Sequence, residues 1–238
     1  MEKSKFLPKK NIFSLKINDV VNYLEKQNIN LKILNSLEVF GGSGETDKII
    51  ADKVKSFEIW EINDDFLDTL TRNFPNSKIH ICNSIEKLQT NTFEQKFDLI
   101  LIDNPMSVFG DKNNPQTYCE HFDILKNINK ITNNETIVIF LVNKKPFYSK
   151  KLKQKNSEWK KRRKQFYGDI DIDNISMDFL LTFYKEYFQK IGFKTVFSKN
   201  ILRHHPHLDY LIFKLEKNDS DNVRTFDMIS LSNLIHNN

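Results

Sequence analysis

The segment Glu38-Val39-Phe40-Gly41-Gly42-Ser43-Gly44-Glu45 constrains this chain more than any other, because it gathers three of its six glycines into one turn. An apolar run from Leu31 to Phe40 leads into the turn, and Thr46-Asp47-Lys48-Ile49-Ile50-Ala51 beyond it reads as the start of a helix. A second strand, Phe57-Glu58-Ile59-Trp60, then ends on an acid, Glu61. Strand, glycine turn, helix, strand, acid is an arrangement that holds a nucleoside in α/β domains. The glycines let the backbone approach the ligand, and the carboxylate accepts from ribose hydroxyls. Glycine is needed because such a turn visits positive φ and has no room for a Cβ. Taken alone, the pattern allows any nucleoside ligand, dinucleotides included.

The rest of the chain repeats the alternation. The sequence predicts a helix around Asp19–Lys26 ahead of the first strand and another over Asp64–Phe74, where Phe66, Leu67, Leu70 and Phe74 fall at helical spacing. Lys78–Cys82 reads as a short strand, with Ser84 as N-cap of a helix over Ile85–Leu88. Phe97–Asp103 is a near-continuous apolar run, as a central parallel strand covered on both faces requires. A helix from Gln116 to Lys130 and a buried strand over Thr136–Val142 follow. Apolar residues from Met177 to Ile191 then keep helical period up to Gly192, and two strands close the pattern, Lys194–Phe197 and Leu208–Leu215, in a hairpin-like antiparallel ending. This βαβ alternation predicts an α/β fold with a doubly wound, mostly parallel sheet. The expected division is an N-terminal helical extension (1–30), one main domain (31–216) with a basic insertion (144–172), and a C-terminal tail (217–238) in which Phe226, Met228, Ile229, Leu231 and Leu234 suit an amphipathic helix.

The net charge of +5 is unevenly placed. Lys144–Phe166 holds eleven Lys/Arg and one acid, Glu158, which leaves 25 basic against 30 acidic residues elsewhere. Trp159, Phe147, Tyr148, Phe166 and Tyr167 lie among these cations. Cations interleaved with rings suit a phosphate backbone with some stacking, so Lys160, Lys161, Arg162, Arg163 and Trp159 are the expected nucleic-acid contacts. A solvated charge run is the plainer alternative. Two cysteines, Cys82 and Cys119, in apolar or helical contexts imply no disulfide framework and point to a reducing, cytoplasmic setting. The N-terminus lacks a signal-peptide core, and no apolar run approaches the roughly 20 residues that span a bilayer. His204, His205 and His207 have no complementary Cys or His group, so no metal is expected.

Phe40-Gly41-Gly42-Ser43-Gly44, Glu61-Ile62-Asn63-Asp64, Asn83-Ser84 and the block from Phe97 through Asp103-Asn104-Pro105 occur in the order and spacing of class I S-adenosylmethionine-dependent methyltransferases. Over Leu37–Met106 the chain most resembles those that methylate exocyclic base amines, such as the 16S ribosomal RNA guanine-N2 enzymes. The resemblance implies a seven-stranded sheet and S-adenosyl-L-methionine as cofactor. It implies that Gly41, Gly42 and Gly44 line the methionine end beside Phe40, and that Glu61, next to Ile62, binds the ribose hydroxyls. It further implies Asn83 on the adenine edge beside Ser84, Glu38 supporting the turn or the methionine amine, and Asp103 facing the transferred methyl. Asp103, Asn104 and Pro105 would form the catalytic strand-four motif. Amine methylators carry D-P-P followed by an aromatic there, whereas this chain has Asn104 in place of the first Pro and Met106 in place of the ring, with Phe109 nearby.

The implied function is methyl transfer to a nitrogen of a nucleic-acid base, in RNA rather than DNA. Two alternatives stay open: a small-molecule or protein methyltransferase on the same scaffold, and a non-catalytic cofactor-binding subunit that docks RNA or a protein partner. The sequence indicates no oligomeric state.

Overall fold

A computed structural model of the 238-residue chain describes residues 12–44, 47–90, 93–103, 121–146, 153–203 and 206–218. Glu45, Thr46, Asn104, Pro105, Met106, Phe109, Cys119, Phe147, Tyr148, His204, His205, the start of the expected helix at Gln116 and the expected tail helix with Phe226 lie outside these residues.

The described strands form one seven-stranded sheet in the order β3-β2-β1-β4-β5-β7-β6. They are β1 (Asn35–Glu38), β2 (Ser56–Glu61), β3 (Lys78–Ile81), β4 (Phe97–Ile102), β5 (Thr132–Asn143), β6 (Phe193–Leu202) and β7 (Leu208–Lys217). All pairs from β3 to β5 are parallel, and β7 lies antiparallel between β5 and β6. The doubly wound sheet with an antiparallel last strand is therefore as the sequence predicts. Helices α1 (Ile12–Lys26), α2 (Lys48–Ala51), α3 (Leu67–Asn73), α4 (Ser84–Thr90), α5 (Phe122–Leu125), α6 (Lys153–Tyr167) and α7 (Met177–Lys190) connect or cover the strands. None of them is long and apolar enough to cross a membrane.

Strand alternation sorts the core into two layers. On β4, Leu99 and Leu101 face α1–α3, whereas Ile100 and Ile102 face α5–α7. The same rule puts Leu37, Ile102 and Leu211 on the α5–α7 side. Their neighbours Glu38, Asp103 and Tyr210 consequently turn to the other side, at the carboxyl ends of β1 and β4 and the start of β7.

Three expectations need correction. Ile17, Val20, Val21 and Leu24 of α1 are at most 1% exposed and share a core with Leu99, Ile139 and Ile212, so this helix is a layer of the domain and not an extension. The cap of α4 is Asn83, one residue before Ser84, because its Oδ1 accepts from the backbone N–H groups of Ile85 and Glu86. β6 runs ten residues instead of four, since it pairs with β7 along its whole length across a bulge at Thr195/Phe197.

Candidate active site at the carboxyl ends of the strands

The glycine turn is pinned from both sides. Val39 N–H donates to Leu101 O at 3.1 Å and Gly41 N–H to Trp60 O at 3.0 Å, which carries the sheet pairing into the turn. Gly44 N–H then closes on Gly41 O at 2.9 Å. Gly42 and Gly44 have φ of +50° and +69°. A Cβ on Gly44 would stand 2.2 Å from the Phe74 ring, and one on Gly41 would stand 2.4 Å from Ile59 Cγ2. At Gly42 the space is open, so there the backbone angle alone calls for glycine. Asn73 Nδ2 donates to Ser43 O at 3.3 Å and ties the end of α3 to the turn.

Glu61 ends β2 nearly buried, with its carboxylate accepting from Gly42 N–H at 2.6 Å and Asn63 N–H at 2.7 Å. It therefore fixes the distance between turn and strand. A carboxylate offers about four acceptor directions, so two remain. Phe40 and Ile62 beside these residues are half-buried, and Ser84 is buried beneath its cap.

A second group of side chains meets above the sheet. Glu38 is 0% exposed, Asp47 at the foot of α2 4%, and the Asp103 side chain 11%. Phe40 N–H donates to Glu38 Oε1 at 2.9 Å, while Glu38 Oε2 is buried and has no hydrogen-bond partner among the described residues. Arg203, just past β6, grips Asp103 with Nη1 to Oδ1 at 3.1 Å and Nη2 to Oδ2 at 3.2 Å. The Tyr210 hydroxyl donates to the same Oδ2 at 3.1 Å. Burial, then the Asp47 charge, pushes the Glu38 carboxyl well above the usual range. Burial, then Asp103, does the same to Asp47, against a smaller opposing pull from Arg203. Burial and Asp103 also push the Tyr210 hydroxyl up, so it stays a donor. Three carboxyl groups thus face one guanidinium in a dry setting, and a cationic ligand group beside them would favour their ionised forms.

Of the residues expected from sequence, Glu38, the three turn glycines, Glu61 and Asp103 come together at these strand ends. Asn104 and Pro105 lie outside the described residues. Asn83 is engaged as a helix cap through Oδ1, with its Nδ2 pointing to no recorded acceptor among the described residues. Asp47, Arg203 and Tyr210 are the additions. Arg203 lies 100 residues from Asp103 and Tyr210 lies 107, and no local pattern links them; a lone arginine just after a strand was the available signal.

Two residues of the expected basic interface turn inward. Trp159 is 2% and Arg163 0% exposed, so neither offers a face to a base or a phosphate. Arg163 instead donates Nε–H to Ile172 O at 3.1 Å and Nη2–H to Asn143 O at 2.9 Å, holding the loop before α7 to the end of β5. Lys160 pairs with Asp173 at 2.6 Å, and Arg162 pairs with Asp123. Lys161 is exposed. The segment reads as a charge run in sequence because helical period puts Trp159, Arg163, Phe166 and Tyr167 inward and the remaining cations at the rim.

The glycine turn, a Glu61 carboxylate that accepts two hydrogen bonds among the described residues, and a Glu38 Oε2 that accepts none there together fit an adenosyl ligand that carries a cationic amino-acid end. No family model and no curated protein matches the sequence. Among solved structures, the chain is similar to the N-methyltransferase NodS from Bradyrhizobium japonicum WM9 in complex with S-adenosyl-L-homocysteine, with a TM-score of 0.53, 10% identity, and coverage of 92% of this chain and 94% of that one. A second structure of NodS gives a TM-score of 0.51 and 10% identity over 90% of this chain and 100% of that one. Strand order, the antiparallel β7 and this likeness agree: the chain shares the fold of these N-methyltransferase structures.

Proposed function

We propose that the protein is an S-adenosylmethionine-dependent methyltransferase whose acceptor is a nitrogen of a nucleic-acid base, in RNA rather than DNA. The observation that carries the cofactor half is the group of acids Glu38, Asp47 and Asp103 at the end of β1, the foot of α2 and the end of β4, with Glu38 Oε2 accepting no hydrogen bond among the described residues. S-adenosylmethionine brings a cationic amine and an electrophilic methyl on a sulfonium, both of which an electron-rich mouth favours. Gly41, Gly42 and Gly44 supply the backbone approach, Glu61 offers its two remaining lone pairs to ribose hydroxyls, and Asn83 offers Nδ2 to an adenine edge. Glu38 and Asp47 hold the amine. Asp103 is held by Arg203 and Tyr210 and, on the strength of the Asp103-Asn104-Pro105 motif, takes the acceptor side. Arg203 Nη2 and the Tyr210 hydroxyl donate to its Oδ2, and Arg203 Nη1 stands 3.1 Å from its Oδ1 as an ion pair. Positioning supplies the catalysis, since the transfer needs an aligned acceptor rather than a proton relay. The base-nitrogen half rests on the Phe40–Gly44 and Asp103-Asn104-Pro105 motifs.

A non-catalytic cofactor-binding subunit is the second reading, favoured by how fully Asp103 is engaged within the protein. Calorimetry with S-adenosylmethionine, followed by transfer of labelled methyl into RNA, DNA, protein and small-molecule fractions, separates the two. Label in RNA is the expected result. Binding with label in no fraction favours the non-catalytic reading, label in protein or small molecules removes the nucleic-acid half, and absence of binding removes both.

A further inference from the structure

With Arg163 buried and Lys160, Arg162 and Lys164 paired within the protein, unpaired cations elsewhere become informative. A groove of about 510 Å³ runs between α2, the start of β2 and the end of α3. Its rim carries Lys48, Lys55 and Arg72, all exposed, with Asn73, Asn76 and Ser77 between them. Phe57 and Phe74, stacked with centroids 5.7 Å apart and nearly buried, contribute to its wall. Asp52 is the only carboxylate in the lining. Among the described residues no ion pair ties Lys48, Lys55 or Arg72, whereas neighbouring Lys53 pairs with Glu25 at 2.8 Å. A concave surface with three cations against one acid concentrates anions. Cations on α2, on the turn before β2 and on α3, with amide and hydroxyl donors between them, match a run of phosphates better than a single carboxylate. The groove also touches the active-site turn: Asn73 donates to Ser43 O, and Phe74 packs where a Gly44 side chain would stand.

We infer that this groove is a second binding site, separate from the carboxylate mouth, that takes phosphate groups of a nucleic-acid backbone and lays the strand alongside the glycine turn. The inference rests on the nucleic-acid reading above and extends it. It replaces α6 as the electrostatic contact.

The test is fluorescence anisotropy of a labelled single-stranded RNA oligonucleotide over a salt series, with the parent protein, K55Q/R72Q, and K161Q/K164Q as a control of equal charge loss on α6. Each lost phosphate contact lowers the slope of log affinity against log salt by about 0.7 in single strands, so K55Q/R72Q should lose about 1.4. Its S-adenosylmethionine affinity, read by calorimetry, should stay within about twofold of the parent, which also reports folding, and the control should keep the parent slope. A parent slope in K55Q/R72Q, or an equal loss in both variants, overturns the groove assignment while leaving the nucleic-acid reading standing. A parent that binds cofactor but no RNA overturns both.

Discussion

Glu38 is a carboxylate that the fold buries completely, next to two other acids, with one oxygen lacking a donor. Its raised pKa means that the folded state holds a proton which the unfolded chain releases at ordinary carboxylate pH. The folded state then binds more protons, so this group's contribution to stability falls as pH rises from the usual carboxylate range up to its raised value. Glu38→Gln should therefore raise the melting temperature at neutral pH and flatten that decline, while weakening S-adenosylmethionine binding by at least tenfold, about 1.4 kcal/mol. A variant that is both less stable and unimpaired in binding would contradict the assignment. Arg203 acts in the opposite sense. Arg203→Met leaves Asp103 buried without its guanidinium and should cost about 3–5 kcal/mol in denaturant unfolding, against about 1.5–3 kcal/mol for Tyr210→Phe. The acid positions Glu38, Glu61 and Asp103 were legible in the sequence because each ends an apolar strand. Asp47, Arg203 and Tyr210 were not, because partners 100 and 107 residues apart are joined only when β6 and β7 fold back beside β5.

At the scale of elements, the glycine turn and α6 show how local pattern succeeds and fails. The turn could be read directly, since positive φ selects glycine wherever the backbone demands it. Its two kinds of glycine differ in consequence. Gly42→Ala meets open space and should cost about 1 kcal/mol from backbone strain alone. Gly44→Ala adds a clash with the Phe74 ring and should cost clearly more, with a lower urea midpoint than Gly42→Ala as the check. α6 was misread because charge counting ignores which face a cation occupies. Arg163→Ala should destabilise by about 3 kcal/mol, since it strips two carbonyls of their donors in a buried place, whereas Lys161→Gln should change unfolding by less than about 0.5 kcal/mol. The layer that receives α6 also buries His121 against Tyr184 and Phe140. Burial, then the Arg163 charge, pushes the His121 imidazole down to about 3. The unfolded chain then binds the extra proton between its ordinary range and that value, so the protein loses stability as pH falls through this window. His121→Phe should lessen that acid sensitivity in a melting series from pH 7 to pH 4.

For the whole molecule, the position of α1 matters most. Four of its apolar side chains are at most 1% exposed, each worth about 1.5–3 kcal/mol when buried. Removing residues 1–30 should thus abolish cooperative unfolding, given a total stability of roughly 5–15 kcal/mol for such domains; a truncated protein that melts sharply would restore the idea of a detachable extension. The sequence by itself determined the order of the strands and of the helices other than α6, the parallel sheet with its antiparallel ending, the glycine turn and the acids at the strand ends. All of these follow from period-two and helical patterning and from local backbone sterics, which act over a few residues. Only the tertiary structure decided that Asp103 is gripped from β6 and β7, that Glu38 keeps an oxygen unpartnered, that the basic helix turns Trp159 and Arg163 inward, and that α1 is core. Each of those depends on which face of one element meets which face of another, and burial and electrostatics have no value until those faces meet.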